Sequence, residues 1–415
     1  MFTTPPEIIA IARRLQSAGY ECVVVGGGVR DQLRGRPAKD WDLATDATPA
    51  QVSAVLPGVR ATTRFGTALV PGGPGGQIVE ITTYRTEAGY TDFRRPDLVS
   101  FTGSLAVDLA RRDFTMNAIA YDPVSGKLLD PYGGAADLAN RRIKAVGVPA
   151  ERFGEDALRL LRAIRFVASL DFVLDPPTAA AVAACAPLAR HLAAERVGTE
   201  LARTLAGPAA ARALTDAARL NLLSVVLPEL AGPAGPHGAA ALGQAQTAPP
   251  ALSPALRWAL LLHHVDSPKS ARARILGLGI GDEVAGPTGL VIGATTLFSG
   301  TYSFESALLR ALRPYSAPFF EAGALVAGAC ARAGGKALSP QANAILVAGR
   351  TLYALRRPRS ISDLAIGGDD LLALGLRPGP LFARLLAGAL EAVTDGVIPN
   401  EHSALLTFVR RQVGQ

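Results

Sequence analysis

Along the first 150 residues, short apolar runs alternate with turn residues. Runs of β type fall at Cys22–Val25, Thr67–Val70, 77–83, 117–121 and 143–146. Each is short and rich in residues that fit a pleated surface, which reads as strand. Gly26-Gly27-Gly28, Pro71-Gly72-Gly73 and Asp122-Pro123 separate them, because glycine and proline interrupt regular structure. An amphipathic opening segment predicts a helix over 6–18 that stops at Gly19. The glycine turn after the first strand leads into a second helix over 29–33. This pattern predicts an α+β domain with one mixed sheet.

After residue 150 the period becomes helical. Segment 155–168 sets Leu158, Leu161, Ile164 and Phe166 among Arg159, Arg162 and Arg165, and it predicts one continuous helix. Ala/Leu-rich helices punctuated by proline follow. The stretch 231–254 is dense in Ala, Gly and Pro and reads as a long loop or joint. A last helical segment begins near residue 335, and no repeat of fixed period is visible.

A chain of 415 residues with 49% hydrophobic positions has enough apolar surface for two or more cores. Only 6% of residues are aromatic, and the Ala/Leu/Gly-rich second half suits closely packed helices. The formal charge of +7 favours a polyanionic partner, since Lys and Arg that meet phosphates release counterions; many basic proteins nevertheless bind no nucleic acid. Cys22, Cys185 and Cys330 lie far apart, which excludes a CxxC zinc site or a disulfide framework and implies free thiols in a reducing compartment. The N-terminal segment lacks a signal-peptide pattern, and no apolar run reaches membrane-spanning length. These features read as a cytoplasmic protein with no membrane partner.

Five segments could carry chemistry. In 23–31, a β-run enters a glycine turn and then a helix, which puts backbone N–H groups and Arg30 where a triphosphate could lie. A plain structural strand–helix turn has the same pattern. Asp40 and Asp42, at i and i+2, would point to one side of a strand and could grip hard cations; solvated acids on a turn look alike. Glu80 interrupts the apolar run 78–81 and would supply a third carboxylate, or else face water from an edge strand. Arg111, Arg112 and Asp113 could clamp phosphate and ribose oxygens, or form a surface salt-bridge cluster. Asp156 and Arg159, at i and i+3, share one face of the expected helix, either as an ion pair or as a carboxylate and guanidinium that read a base edge.

Taken together and in this order, the motifs resemble those of the bacterial class II CCA-adding enzymes and the related poly(A) polymerases, within the polymerase-β-like nucleotidyltransferase superfamily. The matching stretches are GGGVRDQLRGRPAKDWDLATDATP, VEITTYRTE, DLARRDFTMNAIAYDP, DPYGGAADLANRRIKAVG and ERFGEDALRLLRAIRFVASLDF. ERVGTEL at 195–201, DLAIGGDDLLALGLRPGP and IPNEHSALL extend the likeness to nearly the whole chain. The resemblance implies a catalytic α+β head over 1–148, a helical neck over 149–205, a helical body over 206–334 and a helical tail over 335–415. It implies that Asp40 and Asp42 bind two Mg²⁺ ions (Mn²⁺ as a variant), with Glu80 as the third carboxylate. Gly27 and Arg30 would contact the triphosphate, and Arg111, Arg112 and Asp113 the sugar region. Asp156 and Arg159 would read the base, with Arg162 and Arg165 neutralising phosphates.

The implied reaction is template-independent addition of CCA to the tRNA 3′ end from CTP and ATP. Addition of A alone to tRNA ending in CC, poly(A) synthesis and a catalytically dead RNA-binding protein are the alternatives. The segment 86–110 is uninterrupted, whereas the family's CC-only enzymes have a shortened loop here. Two departures stand out. Gly28 replaces a frequent alanine, a change that size alone makes harmless. His263-His264-Val265-Asp266 falls where longer relatives carry a histidine–aspartate phosphohydrolase domain. With His191, His237 and His402 scattered along the chain, the histidine pair reads as structural.

Overall fold

In the computed structural model, α1 (Pro6–Ser17) buries Ile8, Ile11, Ala12 and Leu15, the stripe expected of an amphipathic helix. The structure describes every residue except Met1, Lys39, Pro57, 63–65, 89–97, 248–250, Asp266 and Gln415. The fully buried strand β1 (Cys22–Val25) enters α2 (Gly27–Leu33) through Gly26, whose φ of 71° favours glycine. Next come β2 (Asp42–Thr45), α3 (Pro49–Val55), β3 (Arg60–Thr62), β4 (Thr67–Val70) and β5 (Val79–Thr83). Thr48 and Gln51 close a reciprocal cap on α3.

The segment noted for its uninterrupted length forms a hairpin of β6 (Arg85–Ala88) and β7 (Leu98–Phe101), then α4 (Leu105–Ala110); positions 89–97 lie outside the described residues. Then follow β8 (Ala120–Tyr121), β9 (Leu128–Leu129), α5 (Gly134–Ala139) and β10 (Arg142–Ile143). The main sheet runs β3-β4-β5-β2-β1-β8-β9, and within it β2 and β5 pair in parallel while the other pairings are antiparallel. This is the mixed sheet that the sequence predicts.

Two expected strands are shorter than their apolar runs. Thr115–Asn117 forms a 3₁₀ turn instead of opening the 117–121 strand. The Thr115 hydroxyl donates to Asp137 at 2.7 Å and the Asn117 amide to Asp113 at 3.0 Å, and such side-chain bonds compete with a ladder. Strand β10 stops at Ile143, leaving Ala145 in an isolated bridge to Phe114.

The helix expected over 155–168 is two helices, α6 (Pro149–Glu155) and α7 (Leu158–Leu170). Asp156 stands in the break with extended backbone, and its carboxylate accepts the Leu158 N–H at 3.0 Å. A short acid that bonds its own downstream amide favours a cap over a helix interior. Asp156 and Arg159 therefore do not share one face of a continuous helix. After β11 (Val173–Leu174) come α8 (Pro176–Cys185), α9 (Ala194–Ala206), α10 (Ala210–Arg219) and α11 (Leu222–Val226). Helix α7 packs on α9 and α10 and buries Leu160, Leu161, Ile164 and Val167.

The chain divides into two compact units, Met1–Pro236 and His237–Gln415. The boundary falls inside α12 (Ala234–Gln246), a helix where the sequence suggested a joint. Its one proline, Pro236, sits in the first turn, where a missing N–H costs nothing. Ala239, Ala241, Leu242 and Ala245 supply its buried stripe. In the second unit, α13 (Pro254–Leu262) is capped by Ser253, whose hydroxyl accepts the Leu256 N–H at 3.2 Å. Separate apolar clusters form around Leu312 and Phe320 and around Leu371, Leu405 and Val409. The three cysteines are free. No described helix is long and apolar enough to cross a membrane.

Candidate active site

The sheet register assembles the carboxylates. Val25 pairs with Asp42, and Asp42 pairs in parallel with Glu80, so an acid from each of two neighbouring strands stands side by side. Strand β2 begins at Asp42, so Asp40 precedes the strand instead of lying on it as expected, yet Trp41 is buried while Asp40 and Asp42 on either side of it are exposed. No hydrogen bond or ion pair joins Asp40, Asp42 or Glu80 to a described residue. The Asp42 carboxyl opens on a cavity, yet its crowded surroundings push it above the ordinary carboxylate range. Glu80 and Asp40 add to that rise and Arg112 opposes it. Three acids gathered with no ion pair to a described residue are a donor set that suits hard divalent cations.

The glycine turn is tight against this set. A Cβ on Gly26 would lie 3.5 Å from Arg112 Nη1 and 3.7 Å from Asp42 Oδ2. On Gly28 it would lie 3.0 Å from the Asp40 carbonyl oxygen. An alanine at 28 needs a shift of a few tenths of an ångström, so size alone does not make the two residues interchangeable. Arg30 donates to Asn117 Oδ1 at 3.0 Å and to Asp31 at 3.1 Å.

Opposite the carboxylates, the arginines are held by buried acids. Asp108, 1% exposed, accepts from Arg111 at 2.6 Å and Arg112 at 3.1 Å. Asp113 accepts from Arg162 Nε at 2.8 Å and Nη2 at 2.5 Å, and also from Asn117 and the Phe114 N–H. Burial alone would raise its pKa, but Arg162 and these hydrogen bonds hold it down at about 2. Arg159 is buried by contacts to Glu155 at 2.5 Å, the Arg152 carbonyl at 2.9 Å and the Arg111 carbonyl at 2.8 Å. Arg165 pairs with buried Glu200 at 2.7 Å. The Phe166 ring lies under Arg30, Arg162 and Arg165, with the Arg165 guanidinium 4.2 Å from its centroid.

The two sides border a cavity of about 630 Å³ lined by eight arginines and four aspartates, a volume suited to a small ligand. Gly27, Arg30, Asp40, Asp42, Arg111, Arg112, Asp113, Asp156, Arg159, Arg162 and Arg165 all line it; Glu80 lies beside it, next to Asp42. Sequence reasoning gave no role to Asn117, Phe166, Arg196 or Arg203, which line it too. Arg196 was legible in the ERVGTEL motif as an arginine next to an acid, but its approach to Asp156 at 3.5 Å depends on how α9 packs. Among the described residues, buried Arg112 Nε and Arg196 Nη1 have no hydrogen-bond acceptor, an unmet polar demand in the walls of the cavity.

A mixed sheet with carboxylates on adjacent strands, facing an arginine-lined cavity, defines a polymerase-β-like nucleotidyltransferase head. Residues 22–144 match the family described as the poly A polymerase head domain, and 322–409 match tRNA nucleotidyltransferase domain 2. The CCA-adding enzyme of Geobacillus stearothermophilus is 34% identical over 98% of this chain and 97% of its own. That of Lacticaseibacillus paracasei is 36% identical over 96% and 94%. The crystal structure of the Bacillus stearothermophilus CCA-adding enzyme in complex with CTP aligns at TM-score 0.73 and 32% identity, covering 99% of this chain and 98% of that one. A Thermotoga maritima CCA-adding enzyme complexed with tRNA has the same fold, at TM-score 0.70 and 19% identity over 98% of this chain and 94% of that one. The chain belongs to the CCA-adding enzyme family of tRNA nucleotidyltransferases.

Proposed function

We propose that this protein adds C, C and A to the 3′ end of tRNA from CTP and ATP, releasing one pyrophosphate per nucleotide. The observation that carries the reading is the pairing of a bare carboxylate edge (Asp40, Asp42 and Glu80) with a cavity that holds twice as many arginines as aspartates. A nucleoside triphosphate needs both: cation-binding oxygens at its reactive phosphates, and guanidinium groups along its charge and base.

In this reading the RNA 3′-hydroxyl oxygen attacks the α-phosphorus. The new P–O bond forms as the bond to the pyrophosphate oxygen breaks, and the hydroxyl proton leaves to solvent. Divalent-metal dependence comes with the nucleotidyltransferase family, and Mg²⁺ is the proposed ion, held by Asp40 and Asp42 with Glu80 beside them. Two such ions, when bound there, would supply activation of the hydroxyl and neutralise charge on the leaving pyrophosphate. Gly27 and Arg30 border the triphosphate, and Arg112 with Asp113 the sugar, Arg111 lying close by. Asp156 and Arg159 present a carboxylate and a guanidinium to the base edge. Arg159 is suited to the task because Glu155 and two carbonyls fix its plane. Arg162 and Arg165 face the phosphates from α7.

The test uses tRNA lacking CCA, tRNA ending in C and tRNA ending in CC, each with CTP, ATP or both, resolved at single-nucleotide length. Stepwise completion of all three, stopping after A, is the expected outcome. Extension of only the CC-ending tRNA, or long A tails, would replace the reading with A addition or poly(A) synthesis.

A further inference from the structure

The described residues bring another set of metal-ligand groups together far from the nucleotide chemistry in sequence: His237, His263 and His264. One ring nitrogen from each lies within 4.8 Å of the other two. His237, scattered by sequence, is thus a neighbour of the pair in space, while Asp266 lies outside the described residues. The local cause is a close helix approach. A Cβ on Gly238 would sit 2.7 Å from the Leu261 carbonyl oxygen, so glycine lets α12 meet α13 with His237 beside the His263-His264 end.

Proton counting shows what the cluster lacks. His263 Nδ1 lies 2.8 Å from the Leu260 carbonyl, and since a carbonyl only accepts, the proton sits on Nδ1 and Nε2 keeps its lone pair. His237 Nδ1 is 3.0 Å from that Nε2 and 3.0 Å from His264 Nε2. A proton on His237 Nδ1 would have to serve both neighbours, and a proton on His264 Nε2 would leave His237 facing His263 lone pair to lone pair. A single cation between them would satisfy all three nitrogens. The 3.0 Å separations are near the ~3.3 Å between nitrogens around a tetrahedral ion with bonds of about 2.0–2.1 Å.

We propose that His237, His263 and His264 bind one divalent transition-metal ion, zinc in first place, with a fourth position open to water. Imidazole donors select borderline ions over Mg²⁺, which prefers oxygen, so the site does not compete for the ion of the carboxylate edge. The bond from His263 to Leu260 is the outer contact that orients a ligating histidine. Exposed His264 gives the ion an entry path. The ligands stand 26 and 27 residues apart in sequence, and an ion joining them clips the end of α13 to the start of α12.

The test strips the full-length protein with chelator and titrates it with Co²⁺, the spectroscopic stand-in for zinc. The expected result is one equivalent per chain with the visible absorption of four-coordinate cobalt, displaced by Zn²⁺. Asp40→Ala/Asp42→Ala protein keeps that spectrum. His264→Ala and His237→Ala weaken binding at least about tenfold, with circular dichroism checking that each is folded. Zn²⁺ raises Tm by about 5 °C in the parent and in neither histidine variant. Absence of the cobalt spectrum, or one that survives both histidine substitutions in folded protein, would overturn the proposal.

Discussion

The two walls of the arginine-lined cavity are built on opposite principles. On the sheet side, Asp40, Asp42 and Glu80 stand exposed and share no ion pair with a described residue, and Asp42 is harder to ionise because of its surroundings. On the helix side, Arg159, Arg162 and Arg165 are each tied to an acid, and Asp113 is far easier to ionise than a free carboxylate. In the proposed function, cations and triphosphate complete the first wall. In the second, Arg159, Arg162 and Arg165 are paired in advance, so on the same proposal their guanidinium planes are held before substrate arrives and little ordering remains to be done on binding. In the proposed function the cavity thus divides into a wall that recruits charge and a wall that measures shape.

Substitutions should separate the two. The largest effect is expected from Asp42→Ala, which removes an acid of the recruiting wall: single-turnover nucleotide incorporation should fall at least about a thousandfold. tRNA affinity by filter binding should stay within about threefold, because it rests on dispersed Lys and Arg. Near-normal turnover would end the assignment of this wall. Next in size, Arg159→Ala should cut discrimination against UTP and GTP by about a hundredfold, read as ratios of kcat/KM. An unchanged ratio with uniformly lower rates would make Arg159 a structural strut only.

Asp113→Asn tests the measuring wall through stability. The folded pKa of about 2 lies below the ordinary 3.8, so ionised Asp113 stabilises the fold above the ordinary value. That contribution is lost as pH falls through about 2. Urea denaturation at pH 7 should show a loss of roughly 2 kcal/mol in the variant, and the gap from the parent should narrow between pH 4 and pH 2. A gap independent of pH would mean that packing, not the Arg162 pair, sets the cost. The smallest effect is expected from Glu80→Gln, about tenfold in incorporation with a raised metal requirement, since Glu80 lies beside the cavity rather than in its lining.

The legible and illegible parts of this site differ in range. The Gly26 turn, the Asp40/Asp42 alternation and Glu80 were readable because strand period and turn chemistry are local properties. Parallel pairing of β2 with β5 then brought the acids together as expected. The break at Asp156 was misread: the apolar spacing from Leu158 onward is helical, but one carboxylate bonding an amide two residues on outweighs the continuity. The helix Ala234–Gln246 resembles a joint in sequence because of its glycines and proline, but alanines and a leucine fill its buried face and the proline sits where a helix tolerates it.

What the sequence alone determined was the class of chemistry: acids at strand spacing, paired arginines before an acid, a helical arginine series, and motifs in a family order. Tertiary structure decided which arginines line the cavity and which acids hold them. Arg196 joins Asp156 across 40 residues, Arg162 reaches Asp113 across 49, and His237 meets His263 across 26. Such partners are chosen by helix packing and close glycine approaches, which depend on the whole core and leave no periodic trace along the chain.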